Sequence, residues 1–285
     1  NSPELVSDFL DAPDIEHRAV QRLHIEQEES LSTRKYATLG NMMAWNNVQL
    51  RELYLHLPLG EGAQLLLFSL EDAINLQELS LHDTDSSENT QAGIIAGGIG
   101  PLIQLLQNPQ NQLKKLCLPN LGLQDQHLIA LSELLPTCQI EFFDVSENMI
   151  QSAGMMEFVR HLPRMHSLKH IRWGSNRWQG SENACNTVGN ALLQHVTENP
   201  YLESIDKLDG IPQAPLLGYY LVVNRAGRRL LTSSHPVPDG LWSRVLERAI
   251  DETRYTDVDI GGNVTIQGAS IARYNAVYFL LQNFL

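Results

Sequence analysis

The chain has 285 residues, 43% of them apolar, and a formal net charge of −13. That apolar content excludes a disordered chain, and 33 carboxylates against 20 Lys and Arg disfavour nucleic acid or an anionic membrane surface as partner. The three cysteines, Cys117, Cys138 and Cys185, include no CxxC pair; they make a poor disulfide framework and a poor zinc site, and fit a reducing compartment.

Residues 1–18 mix Glu4, Asp8, Asp11 and Asp14 with Leu5, Val6, Phe9, Leu10 and Ile15, and are expected to form a short N-terminal cap helix. From residue 20 a signature recurs: an apolar residue, two free positions, an apolar residue, one free position, an apolar residue. Its copies are Val20-Leu23-Ile25, Leu50-Leu53-Leu55, Leu76-Leu79-Leu81, Leu113-Leu116-Leu118, Ile140-Phe143-Val145, Leu168-Ile171-Trp173 and, broken at its end, Leu202-Ile205-Lys207. Successive copies start 26 to 37 residues apart. Self-similarity at that period marks stacked units, because one unit cannot bury its apolar edge alone.

Each copy reads as a short strand followed by a loop and a helical stretch. After Leu118, residues Leu123, Leu128, Leu131, Leu134 and Leu135 recur at helix-like intervals. After Val145 the same holds for Ile150, Met155, Met156, Phe158, Val159 and Leu162, and after Trp173 for Val188, Leu192, Leu193 and Val196. Repeated strand–helix units predict an α/β solenoid, with a curved parallel sheet inside and helices outside. The apolar runs at 65–70 and 94–106 fall short of the roughly 20 residues that span a bilayer, so no membrane insertion is expected.

Beyond residue 209 the segment Ile211-Pro212-Gln213-Ala214-Pro215 breaks the period. Residues 216–223 then read as an apolar strand that extends or caps the sheet. A turn at Gly227 and two apolar helices, over about 241–253 and 274–285, are expected to finish the chain. The expected organisation is a cap at 1–18, about seven repeats over 19–209, and a capping strand with helices over 210–285.

The seven copies resemble leucine-rich repeat proteins of the ribonuclease-inhibitor-like class. That family places Asn or Cys three residues after the third apolar position. Asn148 and Asn176 hold this slot, and the resemblance implies that their side-chain amides bond backbone groups of adjacent turns. The other copies depart from it with Glu28, Pro58, Thr84, Leu121 and Gly210, so copies four to six lie closest to the consensus. The tail, with its Leu-Val-Val-Asn-Arg-Ala-Gly-Arg-Arg-Leu-Leu run, resembles the C-terminal tail of diatom leucine-rich repeat proteins, which bears on an algal source and not on an activity.

In this fold the side chains between and beside the signature positions point to the concave face. Those expected to contact a partner are Tyr54, His56, His82, Lys115, Phe142, Asp144, His170 and Arg172. Tyr54 and Phe142 are the aromatic anchors, and copies four to six the contact centre. Trp173 occupies a core position. His56 and His82 share a slot on adjacent strands, with His24 one strand away and Glu26, Glu78 and Asp83 near. Such a cluster could bind zinc or answer to pH. Ordinary polar filling of the slots is the simpler account, and no metal or other cofactor is assigned.

Other motifs fall short of a chemistry. The run Asp257-Val-Asp259-Ile-Gly261 begins like a calcium loop, but its twelfth position is Gly268 where a carboxylate is required. Asn263-Val264-Thr265 is a glycosylation triplet of the kind that arises by chance. The glycine-rich stretch 93–100 lacks the Lys-Ser/Thr of a phosphate loop and reads as a packed or kinked helix. Nothing in the sequence positions Cys117, His82 and Asp144 as a nucleophile, base and orienting group.

The expected function is a non-catalytic protein-interaction scaffold that binds another protein through its concave sheet face and adjacent loops. Alternatives are a structural subunit of a larger assembly, the recognition module of a ubiquitin-ligase adaptor, and a small-GTPase regulator. The expected location is intracellular, cytoplasmic or nuclear, or organellar if an N-terminal address has been removed, since the chain opens on Asn1.

Overall fold

Seven parallel strands, each paired with the next in chain order, form one sheet. The computed structural model describes residues 20–26, 31–46, 49–59, 62–70, 73–84, 98–208 and 210–225, with positions 228 and 247. The strands are β1 (Arg22–Glu26), β2 (Glu52–Leu57), β3 (Glu78–Asp83), β4 (Lys115–Cys117), β5 (Phe142–Asp144), β6 (His170–Arg172) and β7 (Ser204–Ile205). Between and after them lie α1 (Thr33–Trp45), α2 (Gly62–Ser69), α3 (Gly100–Gln107), α4 (Asp125–Leu134), α5 (Ser152–His161), α6 (Glu182–Glu198) and α7 (Ala214–Arg225). Parallel neighbours need a crossover connection, and a helix in each unit supplies it.

The register lines up the second signature position across the sheet, from Leu23 through Leu53, Leu79, Leu116, Phe143 and Ile171 to Ile205. All seven are buried in one core with Leu39 and Met42 of α1, Leu66 of α2, Leu105 of α3, Leu131 of α4, Phe158 of α5, Leu192 of α6 and Leu217 of α7. One sheet face therefore carries the helices, and the alternate residues are left on the other, open face. Around β5 and β6 the core is aromatic: Phe143 stacks on Phe158 at 5.7 Å, and Trp173 meets Trp178 edge to face at 5.8 Å. Helix α5 comes close to α4 at Gly154, where a Cβ would stand 2.7 Å from the Asp125 Cα.

A repeated turn follows β4, β5 and β6. Asn120, Glu147 and Ser175, each two residues past the third apolar position, take positive φ of 52°, 59° and 61°. Asn148 and Asn176 satisfy the backbone groups that this turn strips of ladder partners. The Asn148 carboxamide oxygen accepts the Leu121 and Leu123 N–H groups at 3.0 and 2.8 Å. Its amide nitrogen donates to the Leu118, Val145 and Ser146 carbonyls at 2.8, 3.0 and 2.9 Å. Asn176 repeats the arrangement one unit on, accepting from Ile150 N–H and donating to the Val145 and Trp173 carbonyls.

The ends differ from the expectation. Residues 216–223 are helical, inside α7, and not a capping strand. Pro215 sits in the first turn, where a missing N–H costs nothing. The apolar run wraps Leu217, Leu221, Val222 and Val223 into buried positions. Lys207 turns the chain at a φ of 46°, which stops β7 after two residues. Asn224 then donates from its amide to the Asn199 and Leu202 carbonyls at 2.9 and 2.8 Å, closing that end with side chains instead of a strand. In the glycine-rich stretch, α3 begins at Gly100 and Gly98 has a φ of 77°. The cap at 1–18, the two C-terminal helices apart from position 247, residues 93–97 of the glycine-rich stretch, the calcium-like loop and the glycosylation triplet lie outside the described residues. No helix among the described residues is long and apolar enough to cross a membrane.

These contacts set two expectations for stability. Asn148→Ala strands buried N–H and C=O groups and is expected to cost about 3 kcal/mol or more, read from the urea midpoint. An unchanged midpoint would show that water satisfies the turn equally well. Truncation after Asp209 removes α7 and uncovers the last unit's apolar edge, and aggregation by light scattering is the expected outcome. A soluble, cooperatively folding truncation would make the tail a separate module.

Candidate functional site

The open face is built by strand alternation: with the apolar side chains turned to the helices, the residues between them line up in rows one strand spacing apart. The first row reads Arg22, Glu52, Glu78, Lys115, Phe142, His170 and Ser204. The second reads His24, Tyr54, Ser80, Cys117, Asp144 and Arg172.

Neighbours in these rows are connected. Arg22 pairs with Glu52 at 3.0 Å. The Tyr54 hydroxyl donates to Glu78, and Lys115 Nζ reaches both, at 3.1 Å from the hydroxyl and 3.4 Å from the carboxylate. The same ammonium lies 5.0 Å from the Tyr54 ring centroid and 5.7 Å from that of Phe142. Arg172 holds its guanidinium carbon 5.4 Å from the Phe142 centroid. Phe142 also lies 6.2 Å from the His170 ring, whose Nδ1 stands 2.8 Å from Ser204 Oγ. Two half-buried aromatics thus share one cation, and a second cation, exposed, stacks on Phe142.

Of the expected contact residues, Tyr54, Lys115, Phe142, His170 and Arg172 form this group, while His56 and His82 lie at the β1–β3 end. Asp144 does not belong with them as a surface contact. It is 6% exposed, and its carboxylate accepts from the Ser146 N–H and hydroxyl at 2.9 and 2.7 Å. Its slot is flanked by Cys117 and Arg172 and its carboxylate is engaged by Ser146, which the row position alone does not reveal. Ser80 and Cys117 of the same row are buried as well.

Burial also governs the titratable groups. Burial, then the Asp144 carboxylate, pushes the Cys117 thiol up to about 12, so it is no thiolate near neutral pH. Burial lowers His170 and His56, the latter also through His82 against an opposing pull from Glu26. Burial raises Asp206, which accepts the Trp173 N–H at 2.8 Å. Among the described residues no three His, Cys, Asp or Glu side chains converge to hold a metal ion. A cleft of about 230 Å³ lies off the open face, where Gln124 and Asp125 begin α4 and Gln151 precedes α5, and it is lined also by Arg177.

Sequence reasoning missed three asparagines that satisfy backbone groups outside the repeated turn. Asn46 accepts the Val20 N–H at 2.7 Å, Asn199 accepts from Tyr201 and Leu202 and donates to the Leu162 carbonyl, and Asn224 closes the C-terminal end. Asn46 stands four residues before its signature copy and Asn199 three, so no constant spacing signals them. No family model and no curated protein matches this chain.

His127 yields a pH prediction. Its Nδ1 accepts the Gln124 N–H at 3.0 Å at the start of α4, and burial lowers its pKa, as it does for His56 and His170. A histidine with a lowered folded pKa contributes stability that is complete above the unfolded value of 6.5 and is lost as pH falls towards the folded value. The melting temperature is therefore expected to drop between about pH 7.5 and about pH 5.5, and His127→Gln, which keeps an acceptor, to flatten part of that drop. An identical drop in the variant would remove His127 from the account.

Proposed function

We propose that this chain is a leucine-rich repeat protein whose α/β solenoid serves as a non-catalytic binding scaffold, and that it recognises another protein through the open sheet face. The observation that carries the reading is the connected group Tyr54–Lys115–Phe142–Arg172, which presents two aromatic rings and two cations on one side of β2–β6. Aromatics and Arg held in place by neighbours lose little freedom on binding and are favoured as interface anchors. The two in-phase asparagines and the strand–helix period support the repeat class.

A second reading has its own observation. Phe68 of α2 is 59% exposed and Leu216 of α7 46% exposed on the helix-covered side of the sheet, which suits a subunit docked through its helices in a larger assembly.

The two readings separate by mutation. Phe142→Ala and Tyr54→Ala are each expected to weaken a co-purified partner by about tenfold or more while leaving the melting temperature nearly unchanged. Trp173→Ala, by contrast, empties a core position and lowers stability. Partner binding that survives both open-face substitutions but is lost in Phe68→Ser would move the interface to the helices.

A further inference from the structure

The N-terminal end of the open face carries three histidines on three successive strands. The His24 and His56 ring centroids are 6.2 Å apart at an interplanar angle of 69°, and those of His56 and His82 are 5.1 Å apart at 79°. His56 stands in register with His82 on one side and with Glu26 on the other, and its Nε2 is 3.3 Å from Ser80 Oγ. Edge-to-face packing suits neutral rings, because the positive edge of one meets the negative face of the next. A proton on each of two such neighbours replaces that attraction with repulsion between like charges.

Most of the charges facing these rings already have partners. Arg22 of β1 holds Glu52 of β2, and Lys115 of β4 with the Tyr54 hydroxyl of β2 holds Glu78 of β3. The buried Asp83 accepts the Leu59 N–H at 3.2 Å. Glu26 favours an imidazolium at His56, yet burial and His82 outweigh it and disfavour the proton there.

We propose that His24, His56 and His82 form a proton-operated latch on the β1–β3 end of the sheet. As neutral rings they interlock and help hold the three strands in register; as imidazolium ions they repel one another and loosen that end more than β4–β6. Tyr54, whose ring is 5.6 Å from His24, moves with the latch. The consequence for partner binding rests on the open-face reading above, whereas the latch itself does not.

The test is amide hydrogen exchange by mass spectrometry on the full chain, corrected for intrinsic rates. Between about pH 7.5 and about pH 5.5, wild type is expected to lose about tenfold more protection in β1–β3 than in β4–β6, where His127 and His170 set the background loss. His56→Phe retains a ring without a titrating group, and His56→Gln retains a polar side chain opposite Ser80. Whichever of the two folds is expected to hold β1–β3 protection at both pH values. Equal loss in wild type and the folded variants, or loss spread evenly over β1–β7, overturns the latch. Because no partner is needed, either result leaves the open-face substitutions as an independent test of binding.

Discussion

A parallel strand that turns back over its own sheet leaves backbone N–H and C=O groups without ladder partners at the turn, and burial makes each of them costly. In this chain the problem recurs after β4, β5 and β6, and side-chain amides solve it. One Asn148 carboxamide reaches five backbone groups across two successive units. With those groups satisfied, the chain can turn through a positive φ, start its helix and bury the third apolar residue of the signature. Core packing and register depend on that local solution, since Leu118, Val145 and Trp173 are fully buried and their carbonyls accept from the asparagine amides.

The open face inherits its order from the same register. Residues of one slot arrive as neighbours one strand apart, so a row of mixed charges becomes a chain of lateral contacts: Arg22 with Glu52, Glu78 with Lys115, Lys115 with Tyr54 and Phe142. Exposed ion pairs of this kind add little stability individually. Their effect is positional, because each fixes the rotamer of the next and pre-orders the surface on which the proposed binding reading rests. The histidines at one end extend this logic to a group whose charge depends on pH.

Much of this was legible in the chain. Periodicity placed all seven strands and separated Trp173 as core from Phe142 as surface, and the resemblance to leucine-rich repeats pointed to Asn148 and Asn176. Three features were not legible. Residues 216–223 are apolar enough for a strand or a buried helix, and periodicity over so short a run does not separate the two; packing against α6 does. Asp144 occupies a surface slot in the pattern but is buried with its carboxylate engaged by Ser146, a matter of neighbours and hydrogen bonds. Asn46, Asn199 and Asn224 carry out backbone satisfaction at irregular spacings, so no motif marks them.

What the sequence determined by itself was the alternation: which side chains share a strand, which face each takes, and at what period the units recur, because these follow from backbone geometry alone. The tertiary structure decided what neighbours do to one another. That Lys115 bridges Tyr54 and Phe142, and that three histidines from β1, β2 and β3 meet ring to ring, depends on residues as many as 61 positions apart. Such contacts arise only once parallel pairing brings the strands side by side, and no local pattern encodes them.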